Sequence, residues 1–515
     1  MNQPKFLYGA AVQGIQSFIF QTNVLREIAG ASELVEQICT TLFAKAIGIS
    51  FTELENDPNA IVTAAGNIKY VFDDEEQCKK VVLTFPKKVM EFAPGITICQ
   101  AVVQVENGEI VKKHIEELEC RLRVQRNKAT RPYDLGLMVM NRSRKTGLPA
   151  VKKSGNEYLD LGTIIKEEAV QGENPEGNEP QKYSRLLKTL FGKTTKGETS
   201  LDFAKITKTK SDNYSWLAVI HADGNNMGLA LQKLGDYAKE THGQPYVNLY
   251  REFSQALDLS TKNAANRAYL ETVKNLELKP IDIIPFRPIV IGGDDLTIVC
   301  RGDMALEFTK LFLQYFEDET KANFKSISKE TSFLKNGLTA CAGIAYIKES
   351  YPFHYGYHLA ETLCGEAKKA AKDGLKENET TPSCLMFHKV QDSFVEDFKT
   401  IKKRELKAGD IGFDFGPYYL ESTEKNPTIE HLEKCVSKLE GKEGNAIKSH
   451  LRQWLTDLHN EPELAKQKLD RLVSAASKST KAKLGELKLP DSSIQNGKSP
   501  VYDWLTIHSI NQGGK

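Results

Sequence analysis

The chain contains no apolar run approaching the ~18 residues of a membrane span, and its start, MNQPKFLYGAAV, lacks the layout of a signal peptide. Its nine cysteines include no CxxC pair, so neither a zinc ribbon nor a disulfide framework is indicated. Acids and bases nearly cancel, with 69 Lys+Arg against 68 Asp+Glu, so net charge names no partner. From these absences we expect a cytoplasmic protein with reduced thiols, no membrane contact and no zinc.

What is present is ordinary globular composition, 40% hydrophobic and 27% charged, over 515 residues, enough for about three domains. Charge is uneven locally. Between Arg121 and Lys153 lie ten Lys/Arg, among them Arg121, Arg123, Arg126, Arg131, Arg142 and Arg144, against the single acid Asp134. A second basic stretch, KYSRLLKTLFGKTTKG, begins at Lys182. Such stretches suit contact with a phosphate backbone, and equally suit a solvated surface.

Strand and helix patterns repeat along the chain. Phe6–Val12 reads as a strand, and Ile15–Ala46 as a helix interrupted near Gly30. A hairpin follows around Ala64-Ala65-Gly66-Asn67, then a helix over Glu75–Glu91 and a strand over Gly95–Val105. After the polar stretch QGENPEGNEPQ (Gln171–Gln181) the order returns: strand Trp216–Ala222, helix Tyr246–Asn275, hairpin Ile281–Cys300, helix Met304–Ser328, strand Leu338–Ile347 and helix Tyr355–Lys372. Two β-α-β-β-α-β copies predict an α+β protein built as a pseudo-dimer of ferredoxin-like domains. We divide it into 1–150, a basic inter-domain segment 151–212, a second domain 213–400 and a helical bundle 401–515. In the bundle Ile447, Leu451, Leu455 and Leu458 mark an apolar face, with Trp454 beside it.

Chemistry concentrates in the second copy. In RPIVIGGDDLTIVC, Asp294 and Asp295 sit between two β-branched runs, at the tip of a hairpin turned by Gly292 and Gly293. In WLAVIHADGNNMG, another apolar strand ends in Asp223. A ferredoxin-like sheet sets that strand beside the hairpin, so three carboxylates meet at one edge. Such a cluster suits two Mg²⁺ or Mn²⁺ ions and phosphoryl chemistry, with Asp223, Asp294 and Asp295 as metal ligands and catalytic residues. Backbone amides of Gly224, Asn225 and Asn226 could hold phosphate oxygens, and Gly292 and Gly293 admit a close approach. Lys368, with Lys372 in reserve, would offset triphosphate charge. His221 reads as a core residue supporting the acids. Superposed by pattern, Gln13-Gly14 fall opposite Asp223-Gly224, and Asn67-Ile68 opposite Asp294-Asp295. One copy carries acids; the other does not.

These segments resemble a known family. GIQSFIFQTNVLREIAGASELV resembles the opening of the first Palm domain in the large subunit of type III CRISPR effector complexes. HADGNNMG, PFRPIVIGGDDL and AGIAYIKESYPFHYGYHLAETLCGEAKKAAK resemble that family's second Palm, and RKTGLPAV the segment between them. The resemblance covers roughly residues 5–375. It implies a nucleotidyltransferase that uses ATP, works with CRISPR RNA, target RNA and neighbouring effector subunits, and makes an adenylate second messenger. That product is a cyclic oligoadenylate or an AMP conjugate of a small molecule such as S-adenosylmethionine. It also implies a second nucleotide site near Gln16 or Asn67. The sequence departs from the pattern in having no HD dipeptide and no zinc-ligand cysteines, so the family's nuclease activity is not expected. Two alternatives stand beside this reading: a diguanylate-cyclase-like enzyme, against which the tip reads GGDDL, and a non-enzymatic RNA-binding scaffold.

Overall fold

The structure, a computed structural model, describes residues 4–106, 108–128, 138–171, 185–192, 197–208, 214–241, 246–328, 332–376, 379–392, 397–421 and 426–512. Arg131 and Asp134, the whole polar stretch after Gln171, and Lys182 lie outside them.

The first domain is a four-stranded antiparallel sheet in the order β2-β3-β1-β4, with β1 Lys5–Gln13, β2 Ala60–Ala64, β3 Asn67–Phe72 and β4 Thr97–Val105. Seven of the nine β1 residues are buried, because helices cover both faces of this central strand. The helix α1 (Ile15–Ile19) follows β1 directly, and α2 spans Leu25–Gln37. Helix α3 (Glu75–Phe92) starts at Asp74, whose carboxylate accepts from the amides of Glu76 and Gln77. Helix α4 (Lys112–Arg126) lies against β4 and β1.

Two expectations about this domain are corrected. The break in the first helical stretch falls between α1 and α2, and the helix runs through Gly30. That glycine serves packing instead: a Cβ there would come within 1.7 Å of the Lys166 carbonyl oxygen. Lys166 belongs to α5 (Leu161–Gln171), which follows the hairpin β5 (Ala150–Ser154) and β6 (Glu157–Asp160) and packs along α2. The start of the segment expected to be a linker is therefore built into the first domain.

The second domain repeats the topology. Strands β7 (Trp216–Gly224), β8 (Phe286–Gly292), β9 (Asp295–Arg301) and β10 (Ala340–Lys348) run in the order β8-β9-β7-β10. Its helices are α6 (Met227–Thr241), α7 (Tyr246–Val273), α8 (Gly302–Asn323) and α9 (Phe353–Lys372). The sheet then continues beyond the expected four strands. A parallel strand β11 (Cys384–Lys389) joins β10. After the small hairpin β12 (Lys407–Ala408) and β13 (Ile411–Gly412), β14 (Tyr418–Tyr419) pairs with β11. A boundary at 400 thus cuts through one sheet.

Beyond β14 the α-helices are α10 (Ile429–Lys438), α11 (Gly441–Asn460), α12 (Pro462–Ala475), α13 (Lys478–Glu486) and α14 (Val501–Asn511). On α11 the buried face is Ile447, Leu451, Trp454 and Leu458, with Leu455 only partly buried.

The two domains share one apolar core. The Phe20 ring stacks on Tyr357 of α9 at 4.0 Å between centroids, a contact of about 0.5–1.5 kcal/mol. Helix α7 reaches across the other way, where Lys69 donates to the Tyr250 hydroxyl at 3.0 Å and Arg251 to the Pro58 carbonyl. Packing from both sides sets the two hairpin tips against each other: a Cβ on Gly293 would lie 3.9 Å from that of Ala65.

Candidate metal and nucleotide site

The acids meet because of strand register. Asp223 lies opposite Asp295 across β7 and β9, and Gly292 pairs with Asp295 to close the turn Gly293-Asp294. Gly293 has φ 61°, the positive φ that a two-residue hairpin takes at its first central position and that glycine adopts without strain. Helix α7 holds this tip from behind. The Asp258 carboxylate accepts from the Gly293 amide at 3.1 Å, and the Thr261 hydroxyl donates to the Gly293 carbonyl at 2.6 Å. Lys262 is ion-paired to Asp258. Gly224 clears the way for Asp294, since a Cβ there would sit 2.3 Å from Met227 Cε and 3.0 Å from Asp294 Cβ.

One oxygen from each of Asp223, Asp294 and Asp295 lies within 4.8 Å of the other two. Like charges facing each other across strands are destabilising, and more so where water is excluded. Burial and then the neighbouring Asp223 hold the Asp294 carboxyl above its ordinary range. Burial, followed by Asp294 and Asp223, pushes Asp295 up to about 7. Three hard oxygen donors that resist sharing their charge fit a divalent cation of the Mg²⁺ or Mn²⁺ type. Lys368 of α9 forms an ion pair with Asp223 and donates to the Gly224 carbonyl at 2.8 Å, so it enters the same cluster.

Other expected residues fare differently. Lys372, one turn beyond Lys368, is exposed at the helix end. Asn225 is buried, its amide donates to the Thr339 carbonyl at 2.8 Å and its side chain to the Thr339 hydroxyl, so that amide is already taken. Asn226, at φ 59°, donates its side-chain amide to Thr381. These asparagines shape the loop into α6.

The superposition of the two copies also shifts. In the first domain Ala64 pairs with Asn67 around the turn Ala65-Gly66, and Ala11 lies opposite Asn67. Asn67 thus corresponds to Asp295, Gly66 to Asp294 and Ala11 to Asp223. The expected pairing was one residue out at the hairpin and two at the first strand. A register is fixed by which residues bond across strands, and a pattern of apolar residues tolerates small slips.

Between the domains, beside the triad, lies a cavity of about 190 Å³. Gln16, Ser32 and Glu36 line it from one side, and His221, Asp295 and Tyr357 from the other. Gln16 donates from Nε2 to the Tyr357 hydroxyl at 3.0 Å and to Glu361 at 2.7 Å, so it is brought to the site. Asn67 is not: its side chain is exposed and bonds the Ala65 carbonyl of its own turn. His221 Nδ1 lies 3.1 Å from the Thr297 hydroxyl, and burial keeps its pKa below the usual imidazole value. It is a supporting core residue, as expected. Ser32, Glu36, Asp258, Thr261 and Glu361 carried no signal in the sequence. Asp258 and Lys262, four apart, read as an ordinary solvated helix pair.

The basic stretch divides between elements. Arg121 is engaged on α4, donating to the Val102 carbonyl and to Glu117, while Arg123 and Arg126 are exposed. Arg142 donates to the Gly147 carbonyl, Arg144 is exposed, and Lys145 pairs with the buried Glu27.

With this geometry in place, residues 216–376 match a family model described as Cas10/Cmr2, second palm domain. The second palm belongs to the Cas10/Cmr2 family. Over its length the chain also has the fold of solved Csm1–Csm4 structures. Against the Csm1–Csm4 cassette in complex with cA3 the TM-score is 0.55 at 14% identity, covering 99% of this chain and 70% of that one. Against the cassette in complex with one ATP it is 0.54 at 14% identity, covering 100% and 70%. Against the Csm1–Csm4 subcomplex of the type III-A CRISPR–Csm interference complex it is 0.54 at 13% identity, with the same coverage. At such identities the likeness is one of fold. No curated protein matches the chain. Both palms are thus ferredoxin-like, as expected, and among the described residues no helix is long and apolar enough to cross a membrane.

Proposed function

We propose that this chain is the large subunit of a type III CRISPR effector complex and a nucleotidyltransferase that converts ATP into an adenylate second messenger. The observation that carries this reading is the triad of Asp223, Asp294 and Asp295 at one sheet edge, beside a cavity between the palms that Asp295 lines. The Cas10/Cmr2 match over the same palm supports it, as do the similar folds solved with ATP and with cA3.

Asp223, Asp294 and Asp295 would hold two Mg²⁺ or Mn²⁺ ions. Bound there, the ions would lower the pKa of the attacking 3′-hydroxyl and offset the charge of the departing pyrophosphate. The chain's own residues do the rest. The inter-palm cavity seats a base away from water, and Gly292 and Gly293 let phosphate oxygens approach the backbone. Lys368 places an ammonium beside them. Gln16 ties the palms together at the cavity, which fixes where the second nucleotide lies relative to the first. The exposed arginines Arg123, Arg126 and Arg144 offer contacts for RNA, which with the other effector subunits would switch the enzyme on.

The test is a product assay with each of the four NTPs and Mg²⁺ or Mn²⁺, read by mass spectrometry. It is run on the protein alone and with its RNA-guided partners and target RNA, with and without S-adenosylmethionine. An adenylate product that requires target RNA is expected, and its mass identifies a ring or a conjugate. A guanylate product from the protein alone would replace this reading with a diguanylate-cyclase-like one. RNA binding without turnover would leave a scaffold.

A further inference from the structure

At the opposite end of the second palm sheet the charge pattern inverts. Trp216 begins β7 and Asp223 lies seven residues on, so this region is roughly 23 Å from the acids at about 3.3 Å per residue. Lys348, at the end of β10, lies over the Trp216 ring at 3.9 Å, and Lys389, at the end of β11, at 4.4 Å. Lys389 donates to Ser509 of α14 at 2.7 Å. The adjacent His508 has its Nε2 3.1 Å from the Lys448 ammonium of α11, and Arg452 lies one turn further along that helix. Four cations and a histidine are thus contiguous across three strands and two helices. Glu349 acts on Lys348, its neighbour in the chain. Among the described residues none of the four cations is in an ion pair.

The lysines donate to neutral acceptors: Lys348 to Ser215, Lys389 to Ser509, and Lys448 to Asn445 as well as His508. Two further groups have no acceptor among the described residues. The indole Nε1 of Trp216 and the Nδ1 of His508 are buried without a hydrogen-bond partner, in residues 5% and 2% exposed. An indole nitrogen only donates. An ammonium also only donates, so His508 Nε2 is the acceptor of the Lys448 bond and Nδ1 carries the proton. These two N–H groups want an acceptor, and the lysines beside them have only neutral acceptors and no carboxylate among the described residues. Burial together with Lys348 and Arg452 pushes Lys389 down to about 8; Lys448 is lowered by burial and Arg452, and His508 by burial, Lys448 and Arg452.

We propose that Lys348, Lys389, Lys448 and Arg452, with the N–H groups of Trp216 and His508, form a second anion site that takes a compact multivalent phosphate of the di- or triphosphate class. A small, half-buried knot of donors suits a compact anion, whereas a nucleic-acid backbone needs charges spread along a track. The site joins the palm sheet to the C-terminal helices, so its occupant ties the two together.

The test uses the full chain in metal-free buffer, so that the acid triad takes no part. Thermal unfolding is followed with added pyrophosphate or triphosphate, against sodium chloride at matched ionic strength. The anions should raise Tm in the parent protein and leave Lys389→Met/Lys448→Met unmoved. That double variant, relieved of repulsion, should itself melt higher than the parent without anion. Should it fail to fold, the exposed Arg452→Gln should weaken pyrophosphate binding about tenfold by calorimetry, the loss of one charge-assisted bond. No shift in the parent, or an equal shift in the variant, overturns the site. Lysine-dependent binding of a 20-nucleotide single-stranded RNA that outcompetes pyrophosphate overturns the compact-anion assignment.

Discussion

The two palms share strand order, hairpin length and helix placement, yet one hairpin ends in Gly293-Asp294-Asp295 and the other in Ala65-Gly66-Asn67. Opposite these tips stand Asp223 in one palm and Ala11 in the other. The first palm demonstrates that the fold needs no carboxylate at any of the three places. Burial, and then the neighbouring acids, hold the Asp294 and Asp295 carboxyls above their ordinary range, a cost the first palm does without. The comparison also separates roles. The first palm supplies α1 and α2 as a wall of the cavity, and the second supplies the acid triad.

The largest expected effect comes from making the palms alike. Asp294→Asn with Asp295→Asn should cut product formation by about 10³-fold, since a bound cation contributes several kcal/mol to the transition state. Tm should stay level or rise because repulsion is relieved. Unfolding instead would mean that the acids are structural.

Next is Gly224→Ala, whose Cβ would displace Asp294 or Met227. A shift of that size in a reacting group should lower turnover by about 10²-fold with the fold retained, as circular dichroism and steady-state rates would show. Unchanged turnover would place the working position of Asp294 elsewhere.

A smaller effect concerns pH. Carboxyls raised in the folded state bind protons more tightly there than in the unfolded chain. Metal-free stability should therefore fall as pH climbs from about 4 through about 7. A cation competes with those protons, so the rise in Tm on adding Mn²⁺ should be larger near pH 8 than near pH 5. The difference should vanish in the double asparagine variant. Equal stabilisation at both pH values would break the assignment of the triad as the metal site.

Smallest is Asn67→Asp in the first palm. The position is exposed and faces an alanine, so stability should move by no more than about 0.5 kcal/mol and product yield should not change. A loss of activity would restore Asn67 to the second nucleotide site.

Much of this was legible early because the decisive residues are local. The β-branched runs around Gly292-Gly293 specify a hairpin whatever surrounds them, and an apolar strand ending in Asp223 specifies an acid at a sheet edge. Register was less legible, as the misplacement of Asn67 by one position illustrates. Strand β11 escaped notice because Cys384–Lys389 is short and its pairing with β10 lies 43 residues back in the chain. Gly30 looked like a helix break, because its reason for being glycine is the Lys166 carbonyl, which only packing brings near.

The sequence by itself determined the two ferredoxin-like repeats, the hairpin and the three acids, all set by short-range periodicity and turn chemistry. Only the tertiary structure decided that Lys368 joins Asp223, that Asp258 and Thr261 brace Gly293, and that Gln16 crosses to Tyr357. It alone gathered Lys348, Lys389, Lys448 and Arg452 around Trp216 and His508. The physical reason is distance along the chain. A hydrogen bond or an ion pair between residues a hundred positions apart leaves no periodic trace, and it exists only once two packed surfaces have fixed where each side chain can reach.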